Sequence, residues 1–364
     1  MKLVFAGGGT GGHINPALSI ADYVKSKDSK AEALFIGTRR GLETKLVPAA
    51  GYDIRYIDIS GFDRKNMLKN IDVMKKLVKA NAECVRLLRD YKPDAVVCTG
   101  GYVSGPVAMA AKKCGIPALI HEQNVYPGLT VKGAQKYVDY VAVSFAETSN
   151  HLKKRGKCVV TGNPVRSEIL KADTGESRAK LGLNNDDIFV LVFGGSLGAA
   201  KINEAMLGMI KKLSDSKIKL LFGTGERNYS EVCQAAGNVP GNVTITPYIH
   251  NMAEVMAAAD LVVARSGAIT VSELACLAKP AVLIPSPNVV RNHQEQNAKE
   301  FADAGAAVML KEEALSPDSL YNTITQLCSD KNALAKMSEN MKKFAKRDAL
   351  EEFWKLLLKM TNQS

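Results

Sequence analysis

The turn Gly7-Gly8-Gly9-Thr10-Gly11-Gly12-His13 follows a short apolar run and precedes an amphipathic one. Glycines let a backbone approach a phosphate closely, and a helix starting there offers unpaired N–H groups and a partial positive charge. Gly7, Gly9 and Gly12 have the spacing Gly-x-Gly-x-x-Gly, a dinucleotide signature when an acid ends the next strand to hold a ribose. That strand ends Ile36-Gly37-Thr38-Arg39-Arg40, with no acid. The arginines would suit the 2′-phosphate of NADP, which keeps an oxidoreductase open as one reading. His13 falls at the start of the expected helix, where the macrodipole disfavours imidazolium and favours a neutral ring able to accept a proton. A lone histidine in that place can equally be a packing or capping residue.

A second donor-rich turn, Gly100-Gly101-Tyr102-Val103-Ser104-Gly105-Pro106, also runs from strand to helix and should open on the same sheet edge as His13. Together the two describe an anion site with a base in it. His121-Glu122-Gln123-Asn124 follows another apolar run, and polar residues there need partners or a cleft. The second half repeats the pattern with Gly194-Gly195-Ser196-Leu197-Gly198, then with Arg265-Ser266-Gly267-Ala268-Ile269-Thr270-Val271-Ser272-Glu273. Glu273 in a first helical turn could accept from ribose hydroxyls or simply complement the helix dipole. His293-Gln294-Glu295-Gln296-Asn297 opens a further helix, with amides suited to sugar hydroxyls. No His/Cys/Asp/Glu cluster has metal-ligand spacing, so no metal is expected.

These turns need strands to carry them. Apolar runs at Leu3–Ala6, Ala33–Ile36, Ile54–Ile57, Ala95–Cys98, Ala118–Ile120 and Tyr140–Val143 predict the first set. Phe189–Phe193, Lys219–Phe222, Val243–Thr246, Leu261–Ala264, Ala281–Ile284 and Ala307–Met309 predict the second. Alternation with helical stretches such as Met67–Asp90, Lys201–Leu213 and Ile269–Leu277 indicates parallel sheets with crossover helices. Two strand–glycine turn–helix starts about 190 residues apart imply two Rossmann-like α/β domains. The expected division is 1–162, 163–340, and a C-terminal helical segment 341–364 packing back on the first domain.

Bulk properties narrow the function. No run nears the roughly 18 apolar residues of a membrane span. The start lacks the features of a signal peptide. Seven scattered cysteines without a Cys-x-x-Cys pair indicate neither disulfides nor zinc, so a cytoplasmic setting is expected. Residues 1–160 carry 25 Lys and Arg against 14 Asp and Glu, a net of +11, whereas residues 161–364 carry 23 of each. Such one-sided charge points to a nucleic acid, an anionic membrane or a phosphorylated substrate.

In this order, Gly-Gly-Thr-Gly-Gly-His, Gly-Gly-Tyr-Val-Ser-Gly-Pro, His-Glu-Gln-Asn, Gly-Asn-Pro-Val-Arg, Gly-Gly-Ser-x-Gly-Ala and Arg-Ser-Gly-Ala-x-Thr-Val-Ser-Glu run from residue 7 onward. The set resembles the MurG family of bacterial peptidoglycan glycosyltransferases. The resemblance implies a GT-B fold, two Rossmann-like domains with parallel sheets facing a cleft. It implies an inverting, metal-independent hexosyltransferase without cofactor. GlcNAc would pass from UDP-GlcNAc to the MurNAc C4 hydroxyl of lipid I, undecaprenyl-pyrophosphoryl-MurNAc-pentapeptide, giving β-1,4-linked lipid II. By the same likeness the second domain holds the donor. Ile249 and Arg265 would flank the uracil and Glu273 hold the ribose. Gly195, Ser196, Ala268, Ile269 and Thr270 would meet the diphosphate, with Gln294 and Asn297 at the sugar and Arg166 as an interdomain arginine. Thr10, Gly11, Gly12, His13, Gly101, Tyr102, Ser104 and Asn124 would bind the acceptor. His13 is the candidate general base, with Glu122 and Asn124 beside the reacting sugar. Leu197 and His293 depart from the glutamines that some relatives have there.

A lipid-anchored acceptor gives the basic half a physical reason. Between Lys65 and Lys79, the apolar Met67, Leu68, Ile71, Met74 and Leu77 alternate with Lys65, Lys69, Lys75, Lys76 and Lys79. That composition suits docking on the anionic inner face of the cell membrane, although part of the apolar face must be core. The expected partners are UDP-GlcNAc, lipid I, the membrane surface and cell-wall synthesis proteins, with no nucleic acid. A UDP-GlcNAc 2-epimerase on the same architecture is the main alternative. A noncatalytic UDP-sugar or lipid binder comes after the oxidoreductase.

Overall fold

The structure, a computed structural model, describes residues 1–61, 69–153, 157–195, 198–214 and 216–362. The chain forms two compact units, Met1–Pro164 with Asp348–Ser364, and Val165–Arg347. Both are built on parallel sheets.

In the first unit the strands are β1 (Lys2–Gly7), β2 (Glu32–Gly37), β3 (Asp53–Tyr56), β4 (Ala95–Gly100), β5 (Ala118–Glu122), β6 (Tyr140–Val143) and β7 (Cys158–Val160). They lie in the order β3-β2-β1-β4-β5-β6-β7. The second unit holds β8 (Ile188–Phe193), β9 (Ile218–Gly223), β10 (Val243–Thr246), β11 (Leu261–Ala264), β12 (Ala281–Leu283) and β13 (Ala307–Met309), ordered β10-β9-β8-β11-β12-β13. In each sheet the winding reverses beside the first strand, between β1 and β4 and between β8 and β11. Ligands of open α/β sheets bind at that switch point, outside the carboxyl ends of the strands. The glycine turns named above leave these four strands.

Alternate residues of β1 serve opposite cores, as a strand's period of two requires. Val4 and Ala6 pack with Ile36, Val96 and Cys98 under helices Lys69–Tyr91 and Ser104–Cys114. Leu3 and Phe5 pack with Phe35 and Val97 under helix Gly11–Lys27 and the C-terminal helix Ala349–Thr361. That last helix buries Phe353, Leu356, Leu357 and Met360 in the first unit, about 1.5–3 kcal/mol for each fully buried side chain. Tyr23 donates to Glu351 at 2.5 Å, and Lys27 pairs with the same carboxylate at 3.0 Å.

The boundaries differ from expectation by a few residues. Thr161 N bonds the Val143 carbonyl and Asn163 Nδ2 the Gln123 carbonyl, so the first unit extends through Pro164. Residues 341–347 belong to the second unit rather than to the C-terminal segment. There Arg347 donates to the carbonyls of Cys276 and Leu170. Strand β7 was not foreseen: it has three residues at the sheet edge, too short to leave an apolar signature. The predicted helix over Met67–Asp90 begins in the described residues at Lys69, and Met67 and Leu68 lie outside them.

Candidate functional site at two sheet switch points

In the first unit the loop after β1 and the turn after β4 interlock. Gly101 has φ +79° and sits so close to Gly8 that a Cβ would lie 2.3 Å from the Gly8 carbonyl oxygen. Gly100, at φ +111°, has His13 on its other side: a Cβ there would meet the ring at 2.6 Å from Cδ2 and 3.0 Å from Nε2. Only glycine fits either place. Thr99 fixes the same turn, donating from Oγ1 to the His13 carbonyl at 2.7 Å.

His13 Nδ1 lies 3.2 Å from the Gly8 carbonyl and 3.3 Å from Thr10 Oγ1. A carbonyl oxygen only accepts, so the neutral ring carries its proton on Nδ1 and presents Nε2 as the basic nitrogen. Thr10 caps the helix by position but not by side chain. Among the described residues no group accepts from the N–H of Gly11 or Gly12. These donors form an uncapped helix start beside a histidine, the arrangement an anionic substrate with a hydroxyl to be deprotonated requires.

Other predicted acceptor residues have different roles. Ser104 is fully buried, and its Oγ accepts from Gly100 N while donating to the carbonyls of Ala6 and Gly100. It braces the turn and is out of a ligand's reach. Glu122 belongs to β5 and is 2 % exposed. Its carboxylate accepts from Asn124 N and Nδ2 and from Gly128 N at 2.7 Å. Burial pushes its carboxyl above the ordinary range against those bonds. Glu122 thus shapes the 122–128 loop, with Asn124 half-buried beside it. Tyr102 is 60 % exposed and stacks its ring edge over Gly61. It also lines an apolar cavity of about 290 Å³ with Leu77, Pro106, Met109, Leu129 and Tyr137.

His121 is also a strand residue and fully buried. Its Nε2 meets Ser144 Oγ at 3.0 Å, its Nδ1 meets Gln123 Nε2 at 3.1 Å, and Phe353 packs edge-on at 5.0 Å. Burial pushes the imidazole down to about 3, opposed by the Gly162 backbone and assisted by repulsion from His13.

The predicted membrane stretch is only partly described. Lys65, Met67 and Leu68 lie outside the described residues, and of Lys69 and Ile71 only the backbone is described. Met74 and Val78 are exposed at 48 % and 69 %, next to exposed Lys75 and Lys79. Lys76 pairs with Asp58 at 3.4 Å.

The second unit repeats the design. Gly195 and Gly198 take φ +99° and +76°, and a Cβ on Gly198 would sit 2.1 Å from the Thr224 carbonyl oxygen. Ser196 and Leu197 lie outside the described residues. After β11 the helix Ala268–Cys276 has the uncapped N-cap Gly267, and its first intrahelical bond is Val271 N to the Gly267 carbonyl. The N–H groups of Ile269 and Thr270 have no acceptor among the described residues. Glu273, 5 % exposed, lies one turn on, and Arg166 Nε donates to its Oε1 at 2.9 Å. Burial raises the Glu273 carboxyl, and the Arg166 charge works against that rise.

Four predicted donor residues are braces here. Arg265 donates to the carbonyls of Ile284 and Pro285 and pairs with Glu312 at 2.5 Å. Ile249 is buried against Gly223. Gln294 Oε1 accepts from Ser286 N, and fully buried Asn297 donates to the Ser266 carbonyl. Sequence reasoning missed one residue outright. Glu43, fully buried, accepts from Gly9 N at 2.9 Å and from Thr38 N and Oγ1 at 2.9 and 2.8 Å. It lies six residues from Gly37 in a segment with no distinguishing pattern.

Known proteins share these two folds. Residues 3–143 match the glycosyltransferase family 28 N-terminal domain and residues 189–353 its C-terminal domain. A protein from Acetivibrio thermocellus named UDP-N-acetylglucosamine--N-acetylmuramyl-(pentapeptide) pyrophosphoryl-undecaprenol N-acetylglucosamine transferase is 46 % identical over 98 % of this chain and 97 % of its own length. The protein of the same name from Ruminiclostridium cellulolyticum is 42 % identical over 98 % of this chain and 99 % of its own. The crystal structure of Acinetobacter baumannii MurG superposes with a TM-score of 0.82 at 28 % identity, over 98 % of this chain and 99 % of that one. UDP-GlcNAc 2-epimerase from Neisseria meningitidis bound to UDP-GlcNAc, at 16 % identity and a TM-score of 0.67 over 99 % of this chain and 100 % of its own, shares the fold alone. With its two parallel sheets in the GT-B fold, the chain belongs to the MurG family of UDP-GlcNAc-dependent N-acetylglucosaminyltransferases within glycosyltransferase family 28.

Proposed function

We propose that the chain moves N-acetylglucosamine from UDP-GlcNAc to the C4 hydroxyl of the MurNAc unit of lipid I, forming the β-1,4 bond of lipid II with inversion and without a metal or cofactor. The observation that carries this reading is the pair of switch-point sites in a chain so similar to transferases of that name. Each ends in an uncapped helix start, and the first of these helices carries His13. The acceptor diphosphate falls to Gly11 and Gly12, the donor diphosphate to Ile269 and Thr270, and the ribose to Glu273. His13 Nε2 takes the C4 hydroxyl proton as that oxygen attacks the anomeric carbon. The C1–phosphate bond breaks and its electron pair leaves with UDP, whose growing charge the helix start stabilises.

Membrane docking completes the reading. Exposed Met74 and Val78 flanked by Lys75 and Lys79 suit shallow insertion at an anionic leaflet, the cytoplasmic face where such an acceptor is reached. Among the described residues no helix is long and apolar enough to cross a membrane. Cell-wall synthesis proteins are the expected company at that surface.

UDP release from UDP-GlcNAc, measured with and without a lipid I analogue and again after EDTA dialysis, tests the proposal. Release that needs the acceptor and survives EDTA is expected. Formation of ManNAc without acceptor would establish the epimerase instead, and loss of release on EDTA treatment would overturn metal independence.

A further inference from the structure

Glu43 is a buried anion placed where a dinucleotide-binding turn would hold its ligand. In Gly-x-Gly-x-x-Gly turns the second glycine brings the backbone to the diphosphate, and the end of the next strand faces the ribose. Here those two places are Gly9 and Thr38, and the N–H groups of both donate to one carboxylate at 2.9 Å. The surroundings are cut to fit it. A Cβ on Gly41 would lie 1.9 Å from Glu43 Oε2, one on Gly37 2.7 Å from its Cγ, and one on Gly8 2.8 Å from Oε1. Burial would raise this carboxyl, but the Gly9 and Thr38 hydrogen bonds outweigh it and hold the group below the ordinary carboxylate range. Glu43 is therefore ionised at neutral pH, fixed by three donors and closed to solvent.

We propose that Glu43 is a positioning residue of the first loop, an internal anion that takes the Gly9 N–H and leaves Gly11, Gly12 and His13 to receive the substrate's anion. Two consequences follow. The nucleotide face of this turn is already occupied, which confines nucleotide binding to the second unit. The loop also keeps its left-handed Gly9, at φ +89°, before any substrate arrives, so the donors and the base are preset rather than ordered by binding. This inference rests on the reading that the first unit binds the acceptor.

The test compares Glu43→Gln with Thr38→Val in acceptor-dependent UDP release. Glutamine keeps the shape but puts an amide donor against the Gly9 or Thr38 N–H, whereas Thr38→Val removes only the hydroxyl donor and spares the Gly9 bond. Glu43→Gln is expected to raise the acceptor KM about tenfold and lower kcat, with the UDP-GlcNAc KM within roughly twofold of wild type. Thr38→Val should keep all three near wild type. Should Glu43→Gln fail to fold, Glu43→Asp takes its place, because a carboxylate one methylene shorter loses its span between Gly9 and Thr38. It must then show the same acceptor-only shift. Equal effects of the two substitutions, or an unchanged acceptor KM in folded Glu43→Gln, would overturn the proposal. A wild-type protein without acceptor-dependent release would instead overturn the function on which it rests.

Discussion

His13 Nδ1 faces the Gly8 carbonyl at 3.2 Å while the opposite edge of the ring packs on Gly100, so a backbone acceptor sets the tautomer and a glycine makes room for the basic nitrogen. In the proposed reaction Nε2 of this ring takes the acceptor's proton. Replacing His13 with alanine is therefore expected to lower kcat by about 10²–10⁴-fold, the usual worth of general-base catalysis. UDP-GlcNAc affinity, which the proposed reading assigns to the second unit, should stay within roughly twofold. Turnover and calorimetric donor binding on the same preparation check this, and near-normal turnover would remove His13 from the role.

The buried histidine of β5 should behave in the opposite manner. His121 is buried and pushed down to about 3 from 6.5, so the native state refuses a proton that the unfolded chain accepts. Its stabilising contribution is complete above pH 6.5 and is lost as the pH falls toward 3. His121→Asn should lower the thermal midpoint at pH 7 yet lose less than wild type between pH 7 and pH 4.5. Parallel acid losses in both proteins would show that His121 is not the sensor.

What sequence could and could not read divides along physical lines. The switch-point strands were legible because buried parallel strands are uninterrupted apolar runs, and the turns because φ values such as those of Gly100, Gly101 and Gly195 demand glycine. Individual contacts were less so. Ser104, Glu122, Arg265 and Asn297 stand in or beside the motifs but spend their polar atoms on the protein's own groups, mostly backbone, a distinction that spacing does not carry. Glu43 was invisible for the converse reason. No motif contains it, and only the return of its helix onto the first loop brings it to Gly9. The nicotinamide reading required an acid near the end of β2. The acid exists, but it bonds the protein's own loop.

On the proposed docking surface, Lys75 and Lys79 are exposed and Lys76 is partly held by Asp58. Each exposed lysine near an anionic leaflet is worth about 1 kcal/mol, so Lys75→Gln with Lys79→Gln should weaken binding to phosphatidylserine vesicles on the order of 30-fold. Lys76→Gln alone should do less than either. Vesicle sedimentation at low and physiological salt measures the loss, and UDP-GlcNAc affinity serves as the control. Unchanged sedimentation of the double variant would sink the docking surface.

The Arg166–Glu273 pair would tie the proposed donor site to pH. Burial raises the Glu273 carboxyl and Arg166 works against that rise, which favours the carboxylate that the proposed donor site offers to ribose hydroxyls. Without the guanidinium the burial effect acts alone and the carboxyl ionises only at higher pH. Arg166→Met should therefore move the acid limb of the donor kcat/KM profile toward alkaline pH, with the deficit largest at low pH and smallest at high pH. Glu273→Gln should abolish that limb and weaken the donor at every pH, because an amide cannot take up the missing charge. A profile for Arg166→Met that is merely scaled down, without displacement, would mean that the arginine touches the donor itself rather than acting through Glu273.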